Sequence, residues 1–382
     1  MHKLAISISH YLRSGVTAIV RIMARVMAKK HRDQPWSKGL TGSGIRAVGL
    51  GLFTLGLTIA VTLIGQVSNS SSAVAVPGAD GSSKISQTTP QPIAPISAIP
   101  QATLRPASPQ LGDTLYVLVN GSNSATPNGS DPVAPQIALG KKVYPAFPLQ
   151  TSSNNIRNSV TNNATTNTWR ALIPTTPLDP PGAKQLIINH GNAPSQTLNF
   201  TLRNREFPTQ SLWIDESGNA LEPTDTEWEQ VSAFKKIVTP KKMWQGKFLR
   251  PNEGEVTTGF GVRRYYNGVF AEDYYHRGVD YGGGYGSPVI APAGGVVRLV
   301  GDVNQGFRLH GNTVGIDHGQ GVLSIFLHLS KITVQPGDTV IAGQMIGEVG
   351  STGASTGAHL HWGLYVQGES VDPAPWRYGD ID

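Results

Sequence analysis

From Leu104 to the C-terminus the chain is a succession of short β-prone runs, each stopped by a cluster of Gly, Pro or Asn. Up to Phe207 these runs are Thr114–Asn120 (TLYVLVN), Thr168–Ile173 (TWRALI), Gln185–Asn189 (QLIIN) and Gln196–Arg203 (QTLNFTLR). β-branched and aromatic residues at strand length, bounded by turn formers at regular spacing, predict an all-β sandwich. After Phe248 the runs return as Val289–Val300, Asn312–Asp317, Val322–Leu329 and Leu360–Val366. With 44 Gly, 27 Pro and only 15% charged residues, the composition suits turns and strands better than helical bundles. The predicted fold class is therefore mainly β. One helix interrupts it. Thr224 followed three residues later by Glu227 is a capping-box pattern, and Trp228, Val231 and Phe234 then recur at helical spacing. A short helix is expected near 225–238, packed between two β domains.

Upstream, Ala47–Val67 (AVGLGLFTLGLTIAVTLIGQV) is uncharged and 21 residues long, close to the ~20 that cross a bilayer as a helix. Lys29, Lys30, Arg32, Lys38 and Arg46 precede it, so the positive-inside rule leaves the N-terminus in the cytoplasm and exports the rest. A cleaved signal peptide ending at Ala73-Val74-Ala75 is the alternative, although the apolar run exceeds the usual ~7–15 residues. Val16–Met27, with Arg21 and Arg25 four apart, reads as a stretch lying on the inner membrane surface, or else translation starts at Met23 or Met27. Residues 68–103, rich in Ser, Pro, Gln and Ala, bury too little to fold and read as a disordered spacer. The formal charge of +6 does not signal nucleic acid. Residues 1–67 hold nine Lys and Arg against the single acid Asp33, leaving 22 basic and 24 acidic groups on the rest. A nucleic-acid binder would carry its basic stripe on the folded domain.

The chain has no Cys, so His, Asp and Glu are its only strong metal ligands. In His276-Arg277-Gly278-Val279-Asp280 a spacing of four puts imidazole and carboxylate on one face of a helix or of a strand, and Gly278 with Gly282-Gly283-Gly284 argues for the strand. His359-Leu360-His361 has the same-face spacing of a strand, with Leu360 turned to the core. A catalytic zinc takes three protein ligands and keeps one position open. Either His359 or His361 completes a set with His276 and Asp280, leaving the other for proton chemistry. His328 sits in an apolar strand, Phe326-Leu327-His328-Leu329-Ser330, where a lone histidine is more often a satisfied core residue.

Together HRGVDY, FLHLSKI, the run from Val334 to Trp362 and Val371-Asp372-Pro373 resemble the M23 metallopeptidases, the lysostaphin and LytM-like endopeptidases, over residues 251–376. The resemblance implies a β-rich zinc-peptidase domain with an active-site groove that hydrolyses peptide bonds of cell-wall peptidoglycan. It implies Zn2+ held by His276, Asp280 and His361, with His328 and His359 as catalytic histidines. Phe326 stands where the family more often has Tyr, at a position expected to pack. Some relatives have lost ligands and act only as wall-binding proteins or as activators of other hydrolases. None is missing here.

Residues 104–206, including Phe147-Pro148-Leu149 and Arg170–Pro174, resemble the Ig-like module that precedes the peptidase in some relatives. The expected organisation is a cytoplasmic leader (1–46), a transmembrane signal-anchor (47–67), the spacer (68–103), the Ig-like domain (104–206), a connector with the short helix (207–247) and the peptidase domain (248–376). Peptidoglycan peptide and the inner membrane are the expected partners. His310 and His318, beside turns, read as solvated or capping side chains. Tyr265, Tyr266 and Asn267 are groove candidates. Gly350–Gly353 and Ser355–Gly357 lack the Lys and the following helix of a phosphate-binding loop.

Overall fold

The computed structural model describes residues 101–121, 133–149, 167–191, 193–213 and 222–379. The leader, the apolar run 47–67 and all but the last residues of the spacer lie outside them. Among the described residues no helix is long and apolar enough to cross a membrane. All of them belong to one compact unit.

The first domain holds β1 (Gln101–Arg105), β2 (Thr114–Gly121), β3 (Gln136–Leu139), β4 (Lys142–Pro148), β5 (Asn167–Pro174), β6 (Gly182–Asn189) and β7 (Gln196–Leu202). They form one antiparallel path in the order β1-β2-β5-β4-β3-β6-β7. The β4 strand joins two halves. Its residues 142–145 pair with β3 and its residues 146–148 with β5. Period-two alternation sends Leu115, Val117 and Val119 of β2 and Leu186 and Ile188 of β6 into a shared core with Ile137 and Trp169.

Next come β8 (Thr209–Leu212) and α1 (Asp225–Lys235), followed by β9 (Val256–Thr258), β10 (Arg263–Tyr266), β11 (Val269–Phe270), β12 (Val279–Tyr281), β13 (Pro288–Ile290) and β14 (Gly295–Gly301). The chain continues through β15 (Asn312–Gly319), β16 (Val322–Ile332), β17 (Thr339–Val340), β18 (Met345–Val349), β19 (Leu360–Val366), β20 (Glu369–Val371) and α2 (Ala374–Tyr378). The main sheet runs β17-β14-β15-β16-β19-β12-β9, with β13, β18 and β20 paired off this path. A small sheet, β11-β10-β8, stands apart from it.

The two faces of the main sheet carry different cores. On β16, Val322 and Phe326 point into a large cluster with Leu360, Trp362 and Leu364 of β19. The alternate residues Leu323, Ile325 and Leu327 point the other way, onto α1 through Val231 and Phe234. The helix therefore packs on the main sheet of the second domain and not between the two domains. Its closest approach is at Gly315, where a Cβ would meet the Phe234 ring at 2.8 Å. Its buried stripe also differs from expectation, because the fully buried member is Glu227, whereas Trp228 is half-buried. The domains share contacts as well. Leu172 of β5 joins the large core of the second domain, Trp376 Nε1 donates to Thr114 Oγ1 at 3.1 Å, and Arg205 pairs with Asp372 at 2.6 Å.

His318 is fully buried, not solvated at a turn. Its Nδ1–H donates to Gly294 O at 2.8 Å, so Nε2 accepts from Ser324 Oγ at 2.9 Å, and Trp362 Nε1 donates to that hydroxyl at 3.2 Å. Burial pushes its pKa down to about 4, partly opposed by the Gly294 carbonyl. The unfolded chain, with the ordinary value near 6.5, takes up the proton first. The stabilisation from a neutral His318 is thus complete above about pH 6.5 and is lost as pH falls towards 4, a change of roughly 3 kcal/mol. Urea unfolding of His318→Gln across that window should show a correspondingly shallower loss of stability than the parent chain. Equal slopes would contradict a neutral buried histidine.

Candidate metal centre

Three adjacent strands, β12, β19 and β16, place the chemistry. In the β12–β19 pair Asp280 lies directly opposite His361, which brings their Cβ atoms to within about 5 Å. With Leu360 and Trp362 committed to the large core, His361 faces the same side of the sheet as α1. His276 is not on a strand, as its spacing from Asp280 suggested, because β12 begins only at Val279. It stands in an extended segment held by His276 N to Val262 O and Gly261 N to His276 O. Its ring reaches the site nonetheless. Gly278 makes this possible, since a Cβ there would contact Trp362 O and lie 2.7 Å from His361 Nε2.

The donor atoms converge. His276 Nε2 is 3.1 Å from Asp280 Oδ1 and 3.1 Å from His361 Nδ1, and His361 Nδ1 is 2.8 Å from Asp280 Oδ1. A carbonyl oxygen can only accept, so the 2.8 Å contact of His276 Nδ1 with Gly259 O puts the proton on Nδ1 and a lone pair on Nε2. Burial drives the His361 pKa down to about 4 against the pull of Asp280, which favours a neutral imidazole. Asp280 is buried too, but the His276 and His361 imidazoles beside it outweigh that burial and hold its carboxyl well below the usual range. Two imidazole nitrogens and a carboxylate oxygen within about 3 Å of one another match a divalent cation. The edge of a tetrahedron with ~2.05 Å bonds is about 3.3 Å. This trio, His276, Asp280 and His361, is the donor cluster that stands out among the described residues.

His328 and His359 flank the trio without joining it. Their rings are 4.8 Å apart, and His359 Nε2 is 4.0 Å from Asp280 Oδ1. His328 is aimed by a β-bulge. Asn312 pairs with Leu329 and Val314 with Phe326, so β16 has one residue more than β15 across this stretch. Phe326 and Leu329 consequently enter the same core although three apart, and His328 adopts φ 65°. Its Nδ1–H donates to Thr352 O at 2.8 Å, leaving Nε2 with a lone pair. Burial, with His361 and His359 nearby, lowers its pKa to about 3. The Nδ1 of half-buried His359 contacts Gly357 O at 2.9 Å, so its Nε2 is likewise unprotonated in the neutral form.

The remaining expectations divide. Phe326 is fully buried in the large core, as expected. Tyr266 is core to the small sheet, edge-on to Tyr274 at 5.9 Å, and Asn267 forms the β10–β11 turn at φ 49°, so neither reads as a groove wall. His310 is tied by its Nδ1 to Glu227 at 2.7 Å. Reasoning from sequence missed Glu227, although an acid on an apolar helical stripe was a visible signal.

A β domain with a buried His2–Asp donor set beside two unligated histidines has the make-up of a metallohydrolase. Residues 274–373 match Peptidase family M23. A Vibrio cholerae protein, peptidoglycan DD-endopeptidase ShyA, is 41% identical over 192 residues, 48% of this chain and 37% of its own. The DD-carboxypeptidase/endopeptidase Mpg of Neisseria meningitidis is 42% identical over 98 residues, 26% of this chain and 22% of its own. The chain thus spans 37% and 22% of these two relatives' own lengths. A crystal structure from Pseudomonas aeruginosa assigned to peptidase M23 has the same fold, with a TM-score of 0.50 at 24% identity over 71% of this chain and 96% of that one. Residues 274–373 of the C-terminal domain thus carry the match to peptidase family M23.

If the close approach at Gly278 is what lets the donor atoms meet, Gly278→Ala should displace His361 and cost most of the bound metal while the fold persists. Metal analysis of the purified variant beside its circular dichroism spectrum checks this. Full metal content in Gly278→Ala would show that the contact is dispensable.

Proposed function

We propose that the chain is a zinc endopeptidase of bacterial cell-wall peptidoglycan, with peptide cross-links between D-amino acids as its substrate. The observation that supports it most is the convergence of His276 Nε2, Asp280 Oδ1 and His361 Nδ1. The DD-endopeptidase names of the relatives favour the substrate class. In this reading His276, Asp280 and His361 hold zinc, and His328 and His359 are the catalytic histidines. A zinc ion in such a site supplies Lewis acidity, polarising a peptide carbonyl and lowering the pKa of water.

The protein supplies the proton chemistry. His328 and His359 each have Nδ1–H committed to a backbone carbonyl and present Nε2 to the centre. Each is set to take a proton at Nε2 and then to donate from the same atom, to the developing oxyanion or to the leaving amine. The depressed pKa of His328 keeps it neutral at physiological pH. Its bulged backbone holds that nitrogen in place without reorganisation.

The same reading extends to the rest of the chain. Residues 47–67 are a membrane anchor that leaves the peptidase on the wall side of the inner membrane, joined through the 68–103 spacer. Residues 104–206 form an Ig-like module, supported by their antiparallel path of seven strands. The connector 207–247 belongs with the peptidase domain, supported by the packing of α1 on its sheet.

Two outcomes are expected. His276→Ala and His361→Ala should lose zinc and all cleavage. His328→Ala and His359→Ala should keep about one zinc per chain while turnover falls ~10²–10⁴-fold. Mass spectrometry of digested peptidoglycan should show cross-links opened between D-residues. Cleavage of glycine bridges would change the substrate, and a zinc-loaded chain that cuts nothing would make it a wall-binding or activating protein. For the anchor, a reporter active only in the cytoplasm, fused to the C-terminus, should stay silent. A strong signal would remove the exported topology.

A further inference from the structure

Glu227 is fully buried on a helical stripe whose other members, Val231 and Phe234, are apolar. A carboxylate in such a place costs several kcal/mol unless paired and hydrogen-bonded. Thr224 Oγ1 accepts from Glu227 N at 3.1 Å, as a helix cap should, but the Glu227 carboxylate turns away to a loop about 80 residues further along. Both of its oxygens accept from Leu309 N at 3.2 Å, and Oε1 accepts from His310 N and from His310 Nδ1, each at 2.7 Å.

That loop is what holds His328. His310 O accepts from His328 N at 3.1 Å, which fixes the backbone of the bulge. Leu309 O accepts from Ala354 N at 2.9 Å, and Asn312 N donates to Thr352 Oγ1 at 2.9 Å. Thr352 Oγ1 in turn donates to Leu329 O at 2.8 Å, and Thr352 O takes the Nδ1 proton of His328. The backbone of His328 and the acceptor that sets its tautomer thus both rest on the segment that Glu227 ties down. The strand alone would not hold this arrangement, because His328 adopts φ 65°, a region costly to a residue with a Cβ.

We propose that Glu227 is a positioning residue for His328, locking residues 309–310 so that His328 keeps its Nδ1–H tautomer with Nε2 turned to the metal centre. The proposal rests on the catalytic reading of His328 given above. Glu227 itself precedes the matched residues 274–373.

The full chain, with 15N-labelled histidine, provides the test. The His328 ring signals, identified by their loss in His328→Ala, should show one protonated and one unprotonated nitrogen. In Glu227→Ala they should shift towards averaged values, with kcat lowered roughly 10–100-fold, KM little changed and zinc near one per chain. Glu227→Gln, which keeps an acceptor for the loop, should recover part of both. Val231→Ala is the control for mere destabilisation, lowering Tm while leaving the His328 signals and kcat alone. Should Glu227→Ala not fold, Glu227→Gln decides by the same signals. Unchanged His328 signals and kcat in the Glu227 variants would overturn the proposal, and so would equal losses in Val231→Ala measured below its Tm. If the parent chain cuts no peptidoglycan, the functional reading fails, while the ring signals still decide whether Glu227 positions His328.

Discussion

Two imidazole nitrogens and a carboxylate oxygen are held 2.8–3.1 Å apart in a buried place, where their lone pairs repel unless a proton or a cation lies among them. His276 has already committed its Nδ1–H to Gly259 O. Burial disfavours a charged His361, and Asp280 is ionised. A cation resolves the conflict, and much of the architecture can be understood as the means of keeping these atoms together. The cross-strand register sets Asp280 against His361, Gly278 clears the way for the His361 ring, and the large core behind Leu360 and Trp362 fixes β19 in rotation.

Around that centre, rigidity comes from the two-sided sheet. The β16 strand contributes alternate residues to separate cores, so neither face can slip without exposing the other. A break in this regularity at the site is the bulge at His328, where the backbone is irregular. Its cost, of order 1–3 kcal/mol for a residue at positive φ, is offset by hydrogen bonds from the 309–312 and 350–354 loops. The connector helix secures the first of these loops through Glu227. His328 on one strand is therefore supported by an element that precedes the matched family segment.

What the sequence made legible follows from local periodicity. Strands with strict alternation, such as β2 through Leu115, Val117 and Val119, or β19 through Leu360, Trp362 and Leu364, announced both their existence and their buried faces. So did the N-cap at Thr224. The β3 and β4 strands did not, because they are short, interrupted by Pro145, and defined by a switch of partners that no local pattern encodes. His318 beside its turn looked solvated because its burial comes from Phe248, Gly294 and Trp362, all distant in sequence. For the same reason His276 was read onto a strand. Its hydrogen bonds with Val262 and Gly259 depend on a segment that sequence spacing does not reveal. The five histidine and aspartate candidates are legible in short motifs, and the family resemblance already implies their separation into a ligand trio and a catalytic pair; the distances add the convergence of the trio's donor atoms.

The central claim is that His276, Asp280 and His361 bind the metal while His328 and His359 remain unligated beside it. A crystal structure of the zinc-loaded chain, with anomalous data collected at the zinc edge, tests this most directly. The account predicts a single strong peak within about 2.0–2.2 Å of His276 Nε2, Asp280 Oδ1 and His361 Nδ1, with the Nε2 atoms of His328 and His359 out of bonding range. A peak bonded to His328 or His359 in place of one of the three, or no peak among them in a chain that still cleaves its substrate, would contradict it.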